Sequence, residues 1–126
     1  MAKRVFTITY MLVTGILMII MWGFFLATGQ VPELQTIPIQ ISLHLAAEFS
    51  TSLLLIIASL GLLRYRRWAP ALAKISLGML LYTLIVSPGY YAQLAQFALV
   101  AMFGVLFLLA VVSIVFLFSP EIFLKN

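Results

Sequence analysis

The sequence predicts an all-α, polytopic membrane protein, a four-transmembrane-helix bundle with both termini in the cytoplasm (N-in/C-in). Three observations predict it. The 126 residues are 65% hydrophobic and only 8% charged, with a mean hydropathy of +1.23. A soluble domain carries about 25% charged residues, so water-soluble enzyme classes are excluded first. The chain also contains four apolar runs near the roughly 20 residues that a helix needs to cross a hydrocarbon core of about 30 Å. Finally, the lysines and arginines collect at alternate ends of those runs.

The runs occupy residues 5–28, 39–63, 71–87 and 94–118, and together make one domain over residues 1–126. The first follows Lys3 and Arg4 and ends near Ala27 and Gly29, features shared with a cleaved signal peptide. It is longer than the 7 to 15 or so residues of a signal core and is read as a span. For the second, Thr36 is the expected N-cap and Pro38 lies in the first turn, where a missing N–H costs nothing. The third is preceded by Trp68 and Pro70 and is expected to stop at Ser87-Pro88-Gly89. The fourth is unbroken hydrocarbon up to Phe118.

Lys3 and Arg4 precede the first run, Arg64, Arg66 and Arg67 fill the second connection, Lys74 lies one turn into the third run, and Lys125 follows the last. All seven cations therefore fall on one side. The connections 29–38 and 88–93 contain none, and Glu33 is their one charge. The positive-inside rule then places both termini in the cytoplasm, and a prokaryotic cytoplasmic membrane is the expected location. The net charge of +4 and the Arg64-Tyr65-Arg66-Arg67-Trp68 segment are accounted for by topology and an interfacial Trp, so no nucleic-acid partner is expected. Cysteine is absent, which removes disulfides, thiolate metal sites and cysteine nucleophiles.

Apart from Lys74, the acid and the imidazole carried by the runs are Glu48 and His44, one helical turn apart and on one face. At about 100° per residue, Thr51, Ser52 and Ser59 share their arc while Leu53, Leu54, Ile56 and Ile57 face elsewhere. A carboxylate in hydrocarbon costs several kcal/mol, so the stripe is expected to face protein, with Glu48 paired, hydrated or protonated. Counting outward at about 1.5 Å per residue places His44 near the outer boundary and Glu48 roughly 6 to 8 Å beneath it. Tyr82 on the third run falls at the depth of Glu48, and Gln96 lies just under the outer interface. His44, Glu48, Tyr82 and Gln96 are thus the candidate ligand-binding or proton-handling residues, with Tyr90, Tyr91 and Gln93 as a rim. Thr7, Met11, Thr14, Met18 and Met21 recur at three- and four-residue spacing on the first run and suit a bundle interior.

His44 and Glu48 supply two potential metal ligands; a closed site would need a second chain, so no metal is expected. The sequence lacks an HExxH motif, a Gly-rich phosphate loop and a Ser/His/Asp set, and Lys74 lies too near the interface for Schiff-base chemistry. No residue is assigned a catalytic role, and the isolated chain is read as non-enzymatic. The leading expectation is a ligand-binding or proton-linked carrier module with an outward-facing polar pocket. The blander alternative makes His44 and Glu48 a structural clamp within a scaffold that has no ligand. The lipid bilayer is the expected surrounding, with a second copy of the chain or another membrane subunit as partner.

The stretch Glu48-Phe49-Ser50-Thr51-Ser52-Leu53-Leu54-Leu55, followed by Gly61-Leu62-Leu63-Arg64 and Trp68-Ala69, resembles the DoxX-like four-helix membrane proteins. In those an acidic residue early in the second helix precedes a Leu-rich run, a Gly-Leu pair, a basic turn and an Ala-rich third helix. The resemblance covers about a third of the chain and carries over one position, Glu48. It implies an accessory subunit of a quinone-linked membrane oxidoreductase, in which His44 and Tyr82 would hold a quinone or lipid head.

Overall fold

The computed structural model describes residues 2–29, 31–93 and 95–119, with Tyr90 and Tyr91 as backbone only. Among the described residues the chain forms α1 (Ala2–Ala27), the single turn α2 (Glu33–Thr36), α3 (Pro38–Leu63), α4 (Ala69–Gln93) and α5 (Phe97–Leu117). The four longer helices are each long and apolar enough to cross a membrane.

Two expected boundaries are corrected. The helix of the third run does not stop at Ser87-Pro88-Gly89; Pro88 lies inside α4, which continues to Gln93. Proline there deprives the Leu84 carbonyl of its helical N–H partner, a loss that apolar helices accommodate through neighbouring groups and local adjustment. Thr36 does not cap α3, because it closes α2 instead; Ile37 takes the N-cap position with no side-chain hydrogen bond, and Pro38 starts the helix. The Ile37 N–H donates to the Glu33 carbonyl at 2.8 Å, which welds the two helices end to end.

The long helices form a ring in which α1 packs on α3, α3 on α4 and α4 on α5, with a lesser α1–α5 contact closing it. The α1–α3 pair is antiparallel and in register over its whole length. Arg4 reaches the Leu62 and Leu63 carbonyls at one end, Gly15 lies against Ser52 and Leu55 in the middle, and Trp22 meets His44 at the other end, ring centres 5.8 Å apart. Between apolar helices the attraction comes from packing rather than from expelled water, so the missing side chain of Gly15 is what lets the two backbones approach. Thr7, Met11, Thr14 and Met18 are buried on this side of α1, as the spacing predicts, whereas Met21, the last of that stripe, is only half-buried.

The α1–α5 contacts run from the end that carries Arg4 to the middle of α5. Phe6 packs edge-on against Phe116 with ring centres 5.8 Å apart, and the Tyr10 hydroxyl donates to the Leu106 carbonyl at 2.6 Å. Continuing up the same stripe of α1 at helical spacing, Val13, Leu17, Ile20 and Phe24 are all exposed. The stripe of α5 that faces α1 is likewise bare at Met102 and Ala98. The ring is therefore closed at the Arg4 end and parted between α1 and α5 at the other.

The turn after α3 is a Schellman motif. Tyr65 adopts the left-handed conformation, φ 57°, its N–H donates to Leu62 and that of Arg66 to Gly61. Gly29, φ 70°, occupies the same place after α1, and Ala95, φ 59°, after α4.

Candidate functional site

The site is built on α3 near the parted end of the bundle. The polar stripe faces inward: Glu48, Thr51, Ser52 and Ser59 are buried, while Leu53 and Ile57 are exposed. The hydroxyls of this stripe are engaged on their own helix. Thr51 donates to the Ala47 carbonyl and Ser52 to that of Glu48, both at 2.8 Å, and Ser59 donates to Ile56 at 2.7 Å. Such back-bonding satisfies a buried hydroxyl without a partner helix. The carboxyl of Glu48 is the group left over, because its side chain is too long to fold back on its own backbone.

Glu48 is 3% exposed. On its own helix the His44 Nε2 stands 3.6 Å from its Oε1, and the His44 side chain is 39% exposed. From α4 the Thr83 hydroxyl reaches the carboxyl, and from α1 so does Trp22. The Trp22 indole N–H is buried without a hydrogen bond of good geometry, so its action on the carboxyl is that of a nearby dipole. Trp22 also makes an edge contact with Phe25, ring centres 6.1 Å apart. Trp22, Phe25 and Phe49 pack around buried Val31, Ile41 and Leu45 to form an apolar cap beside the site. An acid enclosed by protein on three helices is thus joined through one imidazole to the surface.

Of the other expected residues, Tyr82, Gln96 and Gln93 are not assembled with this pair. Tyr82 is 71% exposed and stands on the outer surface of α4; its neighbour Thr83 turns inward in its place. Gln96 is exposed at the N-cap position of α5, where its carbonyl, and not its side chain, accepts from Leu99 and Val100. Gln93 is exposed at the end of α4. The side chains of Tyr90 and Tyr91 lie outside the described residues. Two residues were missed by sequence reasoning. Trp22 lies one turn beyond Met18 on the buried stripe of α1 and could have been found by extending it; Thr83 had no such signal. His44 and Glu48 remain two potential metal donors, and among the described residues no three His, Asp or Glu side chains come together.

The fold and site define an all-helical protein with four helices long and apolar enough to cross a membrane and, among the described residues, one buried carboxyl. The chain belongs to the family described as domain of unknown function DUF8058, whose model matches residues 1–125. No curated protein and no solved structure matches it.

Proposed function

We propose that the chain works in a membrane as a proton-linked ligand-binding or carrier module, in which Glu48 exchanges the proton and His44 relays it. The observation that supports this reading best is the contrast within one helical turn: a carboxyl 3% exposed, next to an imidazole 39% exposed at 3.6 Å. Intramembrane carboxyls are costly and mark proton or substrate paths more often than not, and an imidazole can take a proton on one ring nitrogen and give one up from the other. The charge bias supports a cytoplasmic position for the Arg4 end and both termini, in the membrane of a prokaryotic cell on this reading, with His44 toward the outside. A second copy or another membrane subunit is the proposed partner.

The test is infrared titration of the ligand-free protein in lipid nanodiscs. A protonated-carboxyl band that responds to pH and disappears in Glu48→Gln is the expected result. The contacts of Glu48 with both α1 and α4 also favour a second reading, the structural clamp. That reading requires a band insensitive to pH, together with a loss of stability in Glu48→Gln.

A further inference from the structure

The groups that face the Glu48 carboxyl come from three helices: His44 from α3 itself, Trp22 from α1 and Thr83 from α4. None of them is a permanent cation. The described lysines and arginines gather toward the other end of the bundle. Arg4 sits on the end of α3, and the Lys74 ammonium lies 5.0 Å above the Phe118 ring. Among the described residues an ionised Glu48 therefore has no built-in counter-ion beyond His44, although burial makes one necessary.

The surroundings say which cation suits it. Trp22, which reaches the carboxyl, packs together with Phe25 and Phe49 against buried Val31, Ile41 and Leu45. The electron-rich face of an indole attracts an organic cation within about 6 Å, and the apolar wall accepts its hydrocarbon. A hard metal ion asks instead for a shell of oxygen ligands. Among the described residues no three His, Asp or Glu side chains come together to supply one.

We propose that the Glu48 site takes a hydrophobic organic cation, its charge on the carboxylate and its apolar body against Trp22 and the neighbouring rings. This rests on the proton-exchange reading of Glu48. The exchange balances: the carboxyl O–H bond breaks, one proton leaves toward solvent through His44, and the cation takes its place with no net change of charge in the site.

The probe is tetraphenylphosphonium, titrated into the full chain in nanodiscs. Trp22 and Trp68 are the two tryptophans, so Trp68→Phe isolates the fluorescence of Trp22. Because Trp68 packs on Gly61, calorimetry on the unmodified chain supplies the same binding reading should that variant fail to fold. The expected result is quenching of Trp22, release of up to one proton per cation bound, and at least a roughly tenfold loss of affinity in Glu48→Gln. Glu48→Asp, which keeps the charge, is expected to retain part of the binding, and Trp22→Leu to weaken it severalfold. Absence of binding, unchanged affinity in Glu48→Gln, displacement of the cation by sodium alone, or a preference for the neutral decylubiquinone would each overturn the proposal. A Glu48 infrared band that titrates while tetraphenylphosphonium fails to bind would overturn the ligand class and leave proton exchange standing; a band that does not titrate would remove the reading beneath it.

Discussion

The guanidinium carbon of Arg4 lies 4.2 Å from the centre of the Tyr65 ring, where one helix of the bundle holds the end of another. Tyr65 is in the left-handed region, φ 57°, a conformation that costs a residue with a Cβ about 1 to 2 kcal/mol. The same guanidinium donates to the Leu62 and Leu63 carbonyls at 3.0 and 3.1 Å, which lack helical N–H partners at the end of α3. Arg4→Ala is expected to lower unfolding stability by about 1 to 2 kcal/mol, and Arg4→Lys by less. Tyr65→Gly should be near neutral with Arg4 present, since relief of strain offsets the lost ring contact, and stabilising in the Arg4→Ala background. A double-mutant cycle in detergent that shows no coupling would mean that the ring contact is idle.

At the middle of α1 a side chain is excluded by backbone. A Cβ on Gly15 would stand 2.8 Å from Ile56 Cγ1 and 2.9 Å from the Ser52 carbonyl oxygen. The carbonyl cannot turn aside without breaking α3, so Gly15→Ala must push α1 and α3 apart, at a cost of about 1 to 3 kcal/mol. Gly23 and Gly78 have nothing within 4 Å of the same position. Alanine there is expected to leave the melting temperature unchanged or raise it slightly, because alanine is the better helix former. Thermal unfolding of the three variants side by side checks the contrast.

The Tyr10 hydroxyl ties α1 to α5 through the Leu106 carbonyl, 2.6 Å away. Tyr10→Phe keeps the ring and removes the bond, for an expected loss of about 0.5 to 1.5 kcal/mol. The larger consequence is expected beyond it, where Leu17 and Met102 are already exposed on the parted stripes. Spin labels at positions 17 and 102 should show a longer or broader distance distribution in Tyr10→Phe, while a pair at positions 5 and 115 stays put. Equal change in both pairs would mean that α1 and α5 separate in parallel instead of pivoting about the Phe6–Phe116 end.

The fold was legible because its signal is gross. Runs as apolar as residues 97–117 leave no alternative to a long helix, and the charges mark the connections between runs. Boundaries were less legible, for a physical reason. The rule that proline stops a helix comes from helices competing with water for their backbone groups, a competition that weakens in an apolar setting, and α4 runs through Pro88. The burial of Glu48 could be read from its stripe, since Leu53 and Ile57 on the other side of α3 fix the helical phase. Tyr82 could not be placed in the same way. Counting residues gives a height along α4 but no direction around it, and a helix apolar on every side carries no phase.

Adjacent residues Tyr82 and Thr83 therefore make the sharpest test of where the site lies. Tyr82 is 71% exposed, whereas the Thr83 hydroxyl meets Glu48 from α4. Thr83→Val conserves shape and removes the hydroxyl, so Glu48 loses one of the polar groups that enclose it. The carboxyl band of Glu48 is expected to shift in frequency and in its response to pH, because loss of a hydrogen bond changes both the C=O stretch and the balance between the two protonation states. Tyr82→Phe should leave that band untouched and alter stability by less than about 0.5 kcal/mol, as expected for a surface change that touches no buried group. The reverse pattern, a band moved by Tyr82→Phe and unmoved by Thr83→Val, would turn α4 about its axis and place the working site on its opposite face.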